Sequence, residues 1–405
     1  MTGFFHRAVL AAALSCAFGG AMAQGALRPE VGKPLAKAKA LLAEHQFAQA
    51  MAQVRLAASA RGLTPDENFV IEEMRGAIAE SAHDYPMAIK TYSDIVNSGR
   101  VPPGQQVRLL LAETSMAYEM HNYPSAIGWA MRYFKAGGND PSVRALQIQA
   151  YYLNKDYASA AKLQSAQIAS EIASRHAPTE LQLQLLVNCQ QQLGDTAGAT
   201  NSFAQLVTYY PKPDYWQNLV HLAQTHAGFS DRLTFEIDRF ELAVGLLTKP
   251  TDLMEMVELA LQAGLPGEAK AITDKAFATG VFGTGPEAAR QQRLRALVEK
   301  TYASEKPLLA GRVADARGVH DGNPLVALGE EYASYSDYAT GIPLILEGFR
   351  KDELRHPDDS KLDLGLIYLH AGQSAQAAQM LRSVGGHEGA ADTARLWLLQ
   401  AFARK

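Results

Sequence analysis

Apolar residues along this chain recur at spacings of three and four rather than two. Leu109, Leu110, Ala112, Met116 and Ala117 show it, and the spacing lays one apolar stripe along a helix. No segment sustains strict alternation, so the pattern predicts an all-α chain. Residues 358–384 carry more than a stripe. They read DDSKLDLGLIYLHAGQSAQAAQMLRSV, with a helix break at Gly372. Counted from Asp358, small residues fall at 8 and 20 and large apolar ones at 7, 11, 24 and 27. That spacing suits two antiparallel helices that cross at Gly365 and Ala377, where only small side chains let the backbones approach.

The same anchor, a small residue shortly after a turn such as Asp-Tyr, recurs along the chain. Copies stand at Ala50, Ala88, Ala126, Ala160, Ala199, Ala269, Gly341 and Ala377, with successive gaps of 38, 38, 34, 39, 70, 72 and 36. Each long gap is close to twice the others, so a divergent copy is expected near Leu233 and another near Ala310. Roughly ten helical pairs result. Gly76 and Gly329 join these anchors and Gly365 as expected packing positions. Pro and Gly at 99–103, 137–141 and 210–213 punctuate the pairs, stopping one helix and starting the next.

These hallmarks resemble the tetratricopeptide superfamily, and the resemblance runs over nearly all of the chain beyond its first residues. It implies an α-solenoid of TPR-like helix-turn-helix repeats with a C-terminal capping helix around Trp397 and a polar tail at 403–405. Repeats are expected at 24–212 and 321–405, with a divergent helical stretch at 213–320 between them. There Ser230 or Asp231 is a candidate helix N-cap, and residues 277–286 form a Gly-rich loop.

The first residues form a separate element. Arg7 precedes an apolar run from Ala8 to Phe18, and Ala21-Met22-Ala23 precedes Gln24. This is the layout of a secretory signal peptide, residues 1–23, cleaved after Ala23, and it implies a periplasmic protein. A lipid anchor on Cys16 is the alternative, but Ala17 and Phe18 follow it where a polar linker would be expected. Cleavage leaves Cys189 alone, so no intramolecular disulfide is available and packing must hold the fold. No later run is long and apolar enough for a membrane span, which leads us to expect a soluble mature chain. The formal charge is −4, with both signs mixed and no basic block, which argues against nucleic acid.

The chain offers little chemistry. Its 11 histidines form no H-E-x-x-H pair, and no Cys-x-x-Cys exists. Neither a metal nor a cofactor is called for. Cys189 sits in a repeat helix and reads as structural. Gly280, Gly283 and Gly285 faintly resemble a phosphate loop, but they follow a helix and lack the Gly-Lys-Ser/Thr ending. Glu72-Glu73 and Glu330-Glu331 are neighbours about 100° apart on a helix, so they read as solvated faces rather than acid/base couples. Tyr209, Tyr210, Tyr215 and Trp216 read as packing at a repeat junction. The expectation is a non-enzymatic scaffold. An enzyme using the 213–320 region, with His221, His226 or Asp231 converging in a cleft, is the alternative from another class. A self-assembling structural protein is a third.

In such repeats the first helix of each pair lines the concave face. Carrying the groove positions over gives Arg108, Ser115, Tyr118 and Glu119, then Gln149 and Tyr152, then Gln184, Asn188, Gln191 and Gln192. This polar, amide-rich, aromatic strip suits a protein or an extended peptide. Residues 30–42, 68–80, 209–219 and 389–401, with the signal peptide, resemble one group of proteobacterial periplasmic repeat proteins. Some members of that group are described as components of TonB-type systems. The resemblance implies an adaptor acting with TonB, ExbB and ExbD proteins, and it carries over no site residue. Cell-envelope assembly is the alternative pathway.

Overall fold

The computed structural model describes residues 27–351 and 353–402. The expected signal peptide at residues 1–23, with Cys16, and the tail at 403–405 lie outside them. The described residues are helical throughout and fall into two compact units, one up to Gln164 and one from Ser165. The first unit holds α1 (Pro29–Ala43) with α2 (Phe47–Ala58), α3 (Pro65–Ser81) with α4 (Tyr85–Asn97), α5 (Pro103–Glu119) with α6 (Tyr123–Lys135), and α7 (Pro141–Leu153). Helix α8 (Tyr157–Ala173) runs from the first unit into the second. The second unit continues with α9 (Glu180–Gln192) and α10 (Thr196–Tyr209), then α11 (Pro213–Gln224) and α12 (Thr234–Val244). Next come α13 (Pro250–Gln262) with α14 (Pro266–Ala278) and α15 (Ala288–Glu305) with α16 (Leu309–Gly318). The last pairs are α17 (Asn323–Ser334) with α18 (Tyr338–Gly348) and α19 (Pro357–His370) with α20 (Ser374–Arg382), followed by α21 (Ala390–Phe402). These are ten TPR-like pairs and a final helix. The two long anchor gaps each hold a pair, α11/α12 and α15/α16.

The turn inside a pair is built by one device used again and again. After α3, His83 takes a left-handed φ of 58° and its N–H donates to the Glu80 carbonyl, while Asp84 N–H donates to the Ala79 carbonyl. Those two bonds close a Schellman motif. The Asp84 side chain then accepts from Met87 N–H at 3.2 Å and caps α4. One residue thus ends a helix and starts the next. Asn122, Asp195 and Asp337 repeat the double role after His121, Gly194 and Ser336. Between pairs, proline in the first turn of α3, α5, α7, α11, α13 and α19 removes an N–H that would have no helical acceptor.

Within a pair the helices cross over small residues. Ala50, Ala88, Ala126, Ala160, Ala199, Ala269 and Ala377 are all buried. At the α17/α18 crossing a Cβ on Gly329 would stand 2.6 Å from the Gly341 carbonyl oxygen, so the two glycines face each other. A Cβ on Gly76 would meet the Tyr92 ring, and one on Gly365 the Leu381 side chain. Around Ala88, the residues Ala79, Tyr92, Ile95 and Leu110 form a closed core. Replacing Ala88 with Leu is expected to overpack the crossing and cost about 1–3 kcal/mol. The urea midpoint would report it; an unmoved midpoint would mean that Ala88 is not at the crossing.

The second unit closes on itself. Helix α21 packs on α19 and α20, as a cap should, and also on α11 and α12. Phe240 of α12 stacks edge-on against Trp216 of α11 at 5.5 Å and Trp397 of α21 at 5.4 Å. Arg232 joins Asp359 and Glu388, each at 2.6 Å, and Ser230 N–H donates to the Glu388 carbonyl. The divergent stretch therefore holds one side of this closure. Neither Ser230 nor Asp231 side-chain caps α12; a 3-10 turn at Asp231–Leu233 leads into it instead. The Gly-rich loop packs as well. Phe282 is buried, and Gly283 N–H donates to Gln291 Oε1 at 2.7 Å.

Candidate functional site

In the first unit α5 and α7 bring three expected face residues together. Tyr118 O–H donates to Gln149 Oε1 at 2.9 Å, and the Tyr118 ring meets Tyr123 edge-on at 5.8 Å. Tyr152 meets Tyr157 the same way at 5.6 Å. Phe47, Tyr85, Tyr123 and Tyr157 open α2, α4, α6 and α8, so an aromatic ring recurs at each turn. His83 and His121 hold the Tyr85 and Tyr123 hydroxyls at 2.8 and 3.0 Å. These rings were legible as the repeated aromatic after Gln46, Asp84, Asn122 and Asp156, yet sequence reasoning passed over them. Phe47, Tyr85, Tyr118, Tyr123, Tyr152 and Tyr157 are half-buried. Ser115 is half-buried and its hydroxyl turns back to the Leu111 carbonyl at 3.1 Å. Arg108 and Glu119 are exposed. Glu73 is half-buried and accepts from Gln105; desolvation pushes its carboxyl up to about 7, against the opposing pull of Arg108.

In the second unit the expected residues of α9 serve themselves. Gln184 Nε2 donates to the Tyr215 hydroxyl at 2.6 Å, and Asn188 Nδ2 to the Gln184 carbonyl at 2.8 Å. Gln191 and Gln192 are exposed. Tyr215 and Trp216 are buried, as junction packing requires. His221 and Asp231 are exposed, and His226 Nδ1 lies 3.3 Å from Asp392. Cys189 is buried, and desolvation pushes its thiol up to about 11, which makes it a poor nucleophile.

A charged cluster in this unit was missed. Arg239 on α12 reaches Glu236 at 2.7 Å, Glu268 on α14 at 2.5 Å and Asp363 on α19 at 2.9 Å. Glu330 on α17 faces the same group. Desolvation and the neighbouring carboxylates push Asp363 well above its usual range, and desolvation pushes Glu330 up to about 7. Its neighbour Glu331 is buried against Arg312 at 3.1 Å. The Glu330-Glu331 and Glu72-Glu73 pairs are therefore not plain solvated faces. The reason is tertiary: α5 packs over Glu73, α16 brings Arg312 to Glu331, and α12 brings Glu236 and Arg239 to Glu330. Among the described residues no group of His, Cys, Asp and Glu is placed to hold a metal ion, and no helix is long and apolar enough to cross a membrane.

No family model matches the chain, and no curated protein matches it. Among solved structures it is similar to Naa15/Naa10 bound to HypK-THB, with 16% identity, 88% of this chain and 59% of that chain covered, and a TM-score of 0.33. It is also similar to the P58(IPK) TPR domain, with 13% identity, 91% and 98% covered, and a TM-score of 0.23. The chain thus spans 59% of the length of the first of these.

Proposed function

We propose that this chain is a non-enzymatic scaffold that binds a protein or an extended peptide on the first-helix face of its N-terminal unit. One observation carries the reading. The bond from Tyr118 to Gln149 ties adjacent first helices and occupies the amide oxygen, which leaves the Gln149 N–H groups for a ligand carbonyl. The half-buried rings of Tyr118 and Tyr152 lie on the same two helices. Rings already held in place bind at low entropic cost. A signal peptide puts that partner in the periplasm, and the resemblance directs the search to TonB, ExbB and ExbD proteins.

The test is titration of the purified chain with purified periplasmic segments of those three proteins. Replacing Tyr118 and Tyr152 together with Ala is expected to weaken binding by roughly 30-fold or more, since even one central aromatic anchor is worth about 2 kcal/mol. Helix content should stay the same. Unchanged affinity would remove this face from the binding site. Saturable binding to none of the three would remove the TonB-type pathway while leaving the face open to test with other periplasmic proteins.

A further inference from the structure

In the second unit the 3-10 turn at Asp231–Leu233 and α12 are bonded to α19, between residues 127 and 124 positions apart in the chain. Helix α21 packs on both α12 and α19, the two sides of this seam. We propose that this seam is a proton-operated clasp. In the joined state Asp363 carries a proton that it donates to Glu236, and losing that proton frees α19 from α12.

The geometry comes first. Arg239 Nη1 draws Glu236 and Asp363 to the same nitrogen, at 2.7 and 2.9 Å. The two carboxyl groups therefore crowd one guanidinium nitrogen. Glu236 is 8% exposed, and its Oε2 is buried without any N–H or O–H to accept from. A buried acceptor with no donor costs free energy, and two ionised carboxylates in contact repel. One proton between them removes both penalties. Arg239 cannot serve every acid, because its remaining nitrogens go to Glu268.

The groups facing Asp363 come from several elements. Helix α12 brings Glu236 and Arg239, α14 brings Glu268, and α17 brings Glu330. His370 shares α19, and burial pulls it below its usual range. On α18, Glu347 is engaged with Arg317; on α21, Arg395 is bonded to Asn201 and Asp392 faces His226. Helix α12 also carries Asp238, which desolvation and the neighbouring acids push up to about 7, and Glu241, which desolvation also raises; α14 carries Lys275 and the Lys270–Asp274 pair, α20 carries Arg382, and α17 carries Glu331, held by Arg312.

The sign follows from linkage. Asp363 and Glu330 both bind protons more tightly joined than apart, so joining takes up protons. Closure is favoured at acidic pH and weakens as pH rises past the ordinary carboxylate range toward the raised values, about 7 for Glu330. His370 acts in the opposite sense, and only at the acid end. The opening constant should rise about tenfold per pH unit for each proton released.

The experiment is acrylamide quenching of the full chain in a W129F background, where emission reports Trp216 and Trp397 at the seam. Quenching is expected to increase from pH 6 to pH 9. In D363N, whose amide donates without a proton to lose, the slope should fall by about one proton, and in D363N/E330Q by about two, leaving only what Asp238 and Glu241 of α12 contribute. A flat profile in the W129F parent, or a D363N slope equal to the parent's, would overturn the clasp. Should D363N lose its helical circular dichroism, E236Q supplies the same donor from the other side and must lower the slope by the same one proton.

Discussion

Replacing Arg239 with Ala is expected to destabilise the second unit by about 3–5 kcal/mol, more than any other single charge removal in the chain. The side chain is 15% exposed and is the shared cation for Glu236, Glu268 and Asp363. Its guanidinium also lies 4.3 Å over the Phe235 ring, so packing is lost along with charge. Without it, the acids face one another in a desolvated place and can relieve the repulsion only by taking up protons. The loss should therefore be largest at alkaline pH and shrink toward pH 5, because the folded variant binds more protons than the unfolded chain. Urea unfolding followed at pH 5, 7 and 9 would measure it, with Trp129 emission in the first unit as the internal reference. Equal midpoints for Arg239→Ala and the parent at pH 9 would show that the acids do not depend on this cation. Arg239→Lys should recover only part of the loss, since a point charge cannot form the forked pair with Glu268.

The helix pairs were legible in the sequence because each is a local object. Ala88 and Asp84 sit within one repeat, and the spacing between anchors needs only neighbours in the chain to make sense. Even the two divergent pairs could be inferred, from gaps twice the usual length. The closure of the second unit could not. It depends on α12 meeting α19 and α21, and no period in the sequence marks a contact over more than a hundred residues. The same limit explains Glu330 and Asp363. Read along their own helices they are ordinary surface acids; only a helix brought in from elsewhere turns them into a desolvated pair around Arg239. The candidate binding face falls between these cases. Groove positions fixed by the repeat found Tyr118, Gln149 and Tyr152, but their hydrogen bond and edge-on rings depend on how two neighbouring pairs stack. The α9 amides show the converse: Gln184 and Asn188, expected at groove positions, each donate to a partner within the protein.

Trp397→Ala is the complementary loss, of packing rather than charge. Trp397 is 5% exposed and fills the space beside Phe240, which in turn leans on Trp216. Deleting a buried indole from a packed site costs about 3–5 kcal/mol. Part of that is returned here, because Trp397 Nε1 is buried without an acceptor and the alanine variant no longer holds an unsatisfied N–H. A net loss of about 3 kcal/mol is expected, or roughly 6–12 °C in the melting temperature of a unit this size. Trp397→Phe separates the two contributions. It keeps a ring against Phe240 and removes the unsatisfied N–H, so it should lie within about 1 kcal/mol of the parent. If the alanine variant melts with the parent, α21 is not seated on Phe240 and the second unit is an open stack. If the phenylalanine variant falls as far as alanine, the indole nitrogen is bonded and the closure rests on that bond rather than on the stacked rings.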